Sequence, residues 1–170
     1  ACLKGMEYLS SKTDESDVIV FLDGDYSDYP EEMSGLVEPI IAGDYDMIIG
    51  SRILGKNSGM TTEGALLPQA EFGNWLSTRL ISLIWGYKFT DLGPFRAVSS
   101  GSLDRMKMAD RNYGWTVEMQ IKAAKLKLKC KEIPVSYRKR IGVSKVTGTV
   151  SGSVKAGVKI LSTIFAETIK

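Results

Sequence analysis

The chain has 170 residues, a formal charge of +2, and 44% hydrophobic and 25% charged residues, an ordinary balance for a globular domain with a sizeable core. It contains no histidine, which excludes Ser-His and Cys-His nucleophiles, His-type zinc sites and His general bases. Any catalysis must then use carboxylates, basic residues, hydroxyls or a metal. The charge is also unevenly spread. Residues 1–100 carry 7 Lys/Arg against 15 Asp/Glu, a balance of −8, whereas residues 101–170 carry 15 against 5, a balance of +10. A basic half suits an anionic substrate or an anionic membrane surface, although solvated lysines explain part of it. Cys2 and Cys130 form no metal or redox spacing and read as reduced, buried thiols of a cytosolic protein.

Taken in order, Ala1–Leu9 reads as a helix already under way, with Leu3, Met6 and Leu9 a turn apart, so residues upstream are expected. Ser10–Asp17 is polar and reads as a loop. Val18–Leu22 is an apolar run without alternation, the signature of a buried strand in a parallel sheet. It delivers Asp23, Gly24 and Asp25 to the carboxyl edge, where open α/β sheets bind ligands. Two nearby carboxylates repel unless a cation joins them, and hard oxygen donors suit Mg2+ or Mn2+. An isolated Asp-x-Asp is more often a polar turn that ends a strand, so the remaining chain must decide.

Pro30, Glu31 and Glu32 suit a helix start, Met33, Leu36, Val37 and Ile40 give its apolar stripe, and Gly43 ends it. Asp46–Arg52 is a second strand, so the spacing predicts a βαβ unit in a parallel sheet. Leu54–Pro68 lacks periodicity and reads as a site loop, and Phe72–Ile84 is a core helix closed by Gly86. Thr90–Arg96 is a tight turn into a strand over Arg96–Ser99. Asp91 and Arg96 flank its Gly-Pro, so one of them is expected to face the site. Gly101–Met108 reads as a short helix. Trp115–Ala124 reads as another, with Thr116 as N-cap and Glu118 complementing its dipole. Lys125, Lys127, Lys129 and Lys131 alternate with Leu126, Leu128 and Cys130, as on the outer face of a strand. The strand over Leu128–Tyr137 contains Pro134, which makes it an edge or bulged one. Arg138–Lys145 is a basic, Gly-containing loop suited to clamping a diphosphate, or simply an exposed charge run. Val150, Val154, Val158, Leu161 and Phe165 form one apolar helical face that serves core packing, a partner or a membrane surface. The charged stretches lack interleaved aromatics, so a nucleic-acid partner is not expected.

These motifs occur in an order that resembles a family 2 glycosyltransferase of GT-A fold, nearest to the polyprenyl-phosphate sugar synthases. The carriers are Phe21–Asp25 with Pro30-Glu31, Ile49–Arg52, Phe72-Gly-Asn74, Thr90–Arg96, Trp115–Gln120, Ile133–Val135, and Tyr137-Arg138 through Ser144-Lys145. The resemblance covers nearly the whole chain. Each motif alone is weak, and their ordered set is specific.

The resemblance implies a Rossmann-like α/β fold: a mixed, mostly parallel sheet flanked by helices, incomplete at its N-terminus. Residues 1–148 are expected to be the later part of a catalytic domain and residues 149–170 an amphipathic helix facing a membrane or partner. It implies that Asp23 and Asp25 hold Mg2+ or Mn2+ on the diphosphate of a nucleotide-sugar donor. Arg52 approaches the donor or acceptor phosphate, Asp91 sits near the sugar, and Arg138, Arg140 and Lys145 close on phosphates. The implied reaction is inverting sugar transfer to a polyprenyl phosphate at the cytoplasmic face of a membrane. Transfer to a glycan hydroxyl is the alternative, and needs Asp91 or Glu118 as a base. A non-catalytic membrane or partner module is the third reading. Two departures stand out: Ser27 where many relatives have Gln, and Glu71 where many have a basic residue.

Overall fold

The structure is a computed structural model and describes residues 2–9, 12, 17–142 and 150–169, with residues 150, 151 and 153 described by their backbone alone. In chain order the elements are α1 (Cys2–Leu9), β1 (Val18–Phe21), α2 (Met33–Ile41), β2 (Met47–Ser51), α3 (Arg52–Asn57), α4 (Pro68–Trp85), β3 (Arg96–Ser99), α5 (Ser100–Met106), α6 (Trp115–Lys125), β4 (Cys130–Pro134) and α7 (Val150–Ile169).

The four strands form one mixed sheet in the order β1-β3-β2-β4. β1, β2 and β4 run the same way. β3 is inserted antiparallel between β1 and β2, so only the β2–β4 ladder is parallel. β1 and β2 therefore share a direction without pairing, which corrects the simple βαβ expectation. Among the described strands β1 lies at an edge and is half-buried throughout, and β4 with Pro134 forms the other edge.

Helices cover both faces. Met47, Ile49 and Val98 point to a core shared with α4, α5, α6 and α7. Ile48 and Ala97 point to the opposite face, where Leu36 and Ile40 of α2 meet Phe95 and Val135. This is the period-2 alternation of a strand buried on both faces. α2 ends before Gly43 and α4 at Gly86, with positive φ of 79° and 70°, a backbone state that glycine adopts without strain.

Several expectations shift. Arg52 opens a helix, because the Ser51 hydroxyl accepts from Leu54 N at 3.1 Å and caps α3. The expected loop from Leu54 thus begins as α3. The cap of α6 is Gly114 without a side-chain bond, and Thr116 lies inside the helix. The lysine alternation is no strand face: α6 runs to Lys125, Lys127 turns with φ of 53°, and β4 begins at Cys130. α7 packs against α4 and α6, yet Val154, Val158 and Phe165 face outward, while Ile164 is its buried apolar anchor. Cys2 and Cys130 are free and half-buried; burial pushes the Cys130 thiol up to about 12, which keeps it unreactive.

α3 lies almost on the chain that follows β4. A Cβ built on Gly55 meets the Val135 carbonyl oxygen at 1.9 Å, a contact only backbone movement can relieve. Gly55→Ala is accordingly expected to destabilise by about 3 kcal/mol, the upper end for overpacking. Denaturant unfolding measures this, and a loss below about 1 kcal/mol contradicts the close approach.

Candidate active site

Four chain segments meet at one edge of the sheet. The ends of β1, β2 and β4 lead there. Because β3 is antiparallel, the turn that enters it lies at the same edge. Phe21 and Ile49 both pair with Arg96 in the sheet register, and Ser51 pairs with Pro134.

At its centre is an ion pair. Arg52 donates from Nε and from its backbone N–H to Asp91 Oδ2, both at 2.8 Å, and from Nη2 to Asp91 Oδ1 at 2.8 Å. Asp91 is wholly buried, while the Arg52 side chain keeps 18% of its surface exposed. Burial lowers the Arg52 pKa, but the charge and hydrogen bonds of Asp91 outweigh it and raise the balance, so the guanidinium stays charged. The Tyr137 ring lies 5.2 Å from it. Arg96, the other residue flanking the Gly-Pro, is fully buried and donates to Gly93 O and Thr116 O. Of the two, Asp91 reaches the site and Arg96 braces the turn. Gly93 is required there: a Cβ on it lies 2.8 Å from Gly50 O and 3.0 Å from Asp91 Oδ2.

Arg52 also lines a groove between α4 and α7 of about 280 Å3. Its walls include Ala70 and Gly73 from α4 and Ala156, Gly157 and Ile160 from α7. Small residues on two distant helices open this space, and no local sequence pattern marks it. A larger cleft of about 520 Å3, between α1 and Trp115, shares none of these residues.

Asp23 and Asp25 sit on the loop after β1. Asp25 Oδ1 accepts from Ser27 N at 3.0 Å and from Ser27 Oγ. Ser27, the departure from Gln, is fully buried and tethers this carboxylate. Tyr26 between them holds a positive φ of 73°, uncommon for a non-glycine residue. Asp23 lies in the exposed part of this loop, and the surrounding protein and then Asp25 push its carboxyl pKa up. Among the described residues no third acidic, His or Cys side chain completes a metal cage. Two hard carboxylates nevertheless fit Mg2+ or Mn2+, which bind through one or two carboxylates and otherwise through substrate phosphate and water.

The basic loop lies across this loop. Arg138 N donates to Ser27 O at 3.1 Å and Ile141 N to Asp25 O at 2.9 Å. Arg140 pairs with Asp25 Oδ2 at 3.3 Å. The Arg138 guanidinium stacks on Tyr26 and Tyr29, 3.3 and 4.1 Å from their centroids, and donates to Tyr26 O and Asp28 O. Lys145 lies outside the described residues. Glu71 pairs with Lys56, so the position expected to be basic is an acid neutralised by its neighbour.

Two carboxylates play parts the sequence did not announce. Glu118, read as a dipole partner, is buried, accepts from Ala109 N and Asp110 N, and pairs with Lys122 at 2.8 Å. Asp28 is 2% exposed; its Oδ2 accepts from Asp23 N at 3.1 Å and its Oδ1 has no partner among the described residues. Burial, aided by Asp23 and Asp25, pushes its pKa up to about 6 against an ordinary 3.8. Its folded pKa is the higher one, so the stability that Asp28 contributes is fully present below about 4 and is lost as pH rises through about 6. Asp28→Asn removes that titration. It is expected to raise the neutral-pH melting temperature and to flatten the variation with pH between about 4 and 6. Thermal melts of both proteins without metal decide, and parallel pH curves rule the burial effect out.

The mixed sheet flanked by helices, with charged side chains pooled at one edge, is consistent with a GT-A-like fold. The chain is similar to glycosyltransferases. It is 27% identical over 149 residues to the undecaprenyl-phosphate mannosyltransferase of Micrococcus luteus, covering 84% of this chain and 58% of that protein. It is 29% identical over 128 residues to the low-salt glycan biosynthesis hexosyltransferase of Haloferax volcanii, covering 74% of this chain and 30% of that protein. An uncharacterised protein of Methanocaldococcus jannaschii is 29% identical over 140 residues, covering 77% and 56%. These relatives bear out the resemblance to family 2 glycosyltransferases. No protein-family model matches the chain. The chain thus spans little more than half of the first and third of these relatives and under a third of the second.

Proposed function

We propose that this chain belongs to an inverting glycosyltransferase that moves a sugar from a nucleotide-sugar donor to a lipid-linked, polyprenyl-type phosphate. The observation that carries the acceptor is the Arg52–Asp91 pair. Transfer to a sugar hydroxyl needs a carboxylate free to take its proton. Asp91 is wholly buried with both oxygens committed to Arg52, and Glu118 is committed to Lys122 and two backbone amides. Neither is free as a base. A phosphate monoester needs none, since its second pKa near 6 leaves it ionised at neutral pH.

In this reading an acceptor phosphate oxygen attacks the anomeric carbon, the bond to the donor's β-phosphate oxygen breaks, and a nucleoside diphosphate leaves. Arg52 meets the acceptor phosphate as a cation whose charge is fixed before binding. The neighbouring groove, walled by small and apolar residues, suits the start of a lipid chain. Asp23 and Asp25 are the residues to hold a divalent cation, which supplies charge neutralisation on the leaving diphosphate. Arg138 and Arg140, with Lys145, add positive charge on that side. The relative named for undecaprenyl-phosphate mannosyl transfer supports this acceptor class.

No described helix is long and apolar enough to cross a membrane. The outward Val154, Val158 and Phe165 of α7, with exposed Phe72 and Trp75 on α4, are the surfaces we assign to contact with the cytoplasmic face of a bilayer. Acceptor competition tests the function. With the full-length protein and labelled nucleotide sugar, label is expected in polyprenyl phosphate and not in oligosaccharide. Preferential labelling of the oligosaccharide overturns the acceptor assignment.

A further inference from the structure

The turn that carries Asp91 is held in an unusual way. Glu132 of β4 accepts from Thr90 N at 2.8 Å and from Asp91 N at 3.0 Å. Asn74 of α4 donates to Thr90 O at 2.8 Å and accepts from Leu92 N at 2.7 Å. Gln120 of α6 donates to Asp91 O at 2.7 Å. Five backbone groups of three successive residues thus end on side chains from three elements. A tight turn ordinarily closes on its own backbone. This one takes its position from the sheet edge and two helices together. Two of these residues give a purpose to sequence motifs that the chemistry leaves unused, Phe72-Gly-Asn74 and Trp115–Gln120.

We propose that Asn74, Gln120 and Glu132 are positioning residues that set Arg52 as an anion receptor by fixing Asp91. The inference rests on the reading above that Arg52 meets the acceptor phosphate. A carboxylate on a deformable turn swings and takes its guanidinium with it, and the phosphate must then reorganise both. With Asp91 pinned through its N–H and its carbonyl, the three bonds to Arg52 are formed before a ligand arrives, and that cost is removed from binding. Asn74 also lines the groove beside Arg52, so the clamp and the proposed acceptor path share a wall.

Coupling separates positioning from simple support of the turn. Calorimetry on the full-length protein measures a short-chain polyprenyl phosphate and, separately, inorganic phosphate. The variants are Asn74→Ala and Glu132→Gln, each in the native background and in Arg52→Ala. Each single change is expected to weaken phosphate binding about tenfold, leave nucleotide-sugar binding unchanged, and have no effect once Arg52 is gone. Equal losses in both backgrounds overturn the proposal. If Asn74→Ala does not fold, Asn74→Asp keeps the bond from Leu92 N, loses the one to Thr90 O, and must show the same coupling. If Arg52→Ala itself leaves phosphate binding intact, the functional reading fails instead. The clamp is then read from hydrogen exchange at Arg52 Nε–H. Exchange is expected to be slow in the native protein and fast in Glu132→Gln, and unchanged exchange overturns it.

Discussion

Asp91→Ala is expected to cost the fold about 3–5 kcal/mol and to abolish transfer, because it strands a guanidinium that is mostly buried. Asp91 is wholly buried and takes three hydrogen bonds from Arg52, one of them from the backbone that starts α3. Removing the carboxylate leaves those donors and the charge without a partner in a poorly hydrated place. Replacing both ions by apolar residues of similar volume, Arg52→Met with Asp91→Leu, is expected to recover most of that stability, since neither charge then needs solvation. Activity is not expected to return, because the phosphate has lost its receptor. Denaturant unfolding and transfer assays on the same three proteins give the result. A stable, active Asp91→Ala protein contradicts both the structural and the chemical weight placed on this pair. An active double variant contradicts only the chemical part.

The sequence announced the pieces of this site better than their arrangement. Val18–Phe21 and Met47–Ser51 are strands where apolar runs end at Asp23 and Arg52, and Arg96–Ser99 is a strand where the chain leaves the Gly-Pro turn. Gly43 and Gly86 marked helix ends because a positive φ is a local property that one residue can reveal. The insertion of β3 between β1 and β2 left no local mark, since strand neighbours are chosen by packing across the whole chain. The lysine alternation misled for a related reason. Period-2 spacing also occurs by accident where a helix ends, and Lys127 in a left-handed turn breaks it. α7 shows the limit of amphipathic reasoning: the stripe through Val154 and Val158 is apolar, but Ile160 and Ile164 with small Ala156 and Gly157 give the face that docks. Asp91 was legible as a residue of this sheet edge, while its structural role was not. That role depends on Arg52, 39 residues away, and on Asn74, Gln120 and Glu132, which lie up to 42 residues from the turn they hold. Only the cap of α3 was within reach, from Ser51 ahead of Leu54.

Asp25→Asn in the full-length protein is expected to remove divalent-metal binding and to lower transfer by about a thousandfold, the scale of several kcal/mol that a Lewis acid contributes to a leaving diphosphate. Asp25 Oδ1 is tethered by Ser27, and Oδ2 faces Arg140 at 3.3 Å. In this arrangement the basic loop already supplies a positive charge at the carboxylate. A metal ion must share or displace it. Arg140 is well exposed, so this pair contributes only about 0–1 kcal/mol, and the competition is correspondingly slight. Arg140→Gln should therefore tighten Mn2+ binding in the absence of nucleotide by no more than about fivefold. The same substitution should weaken binding of the nucleotide sugar, because the diphosphate loses one cationic partner. Titration of Mn2+ followed by electron paramagnetic resonance reads the first effect, and calorimetry with the donor reads the second. Opposite signs are the signature of an arginine that exchanges a carboxylate for a diphosphate when donor and metal arrive. If Arg140→Gln weakens Mn2+ as well, the loop supports the metal site directly. If Asp25→Asn retains both Mn2+ binding and transfer, the carboxylates at the end of β1 are not the metal site.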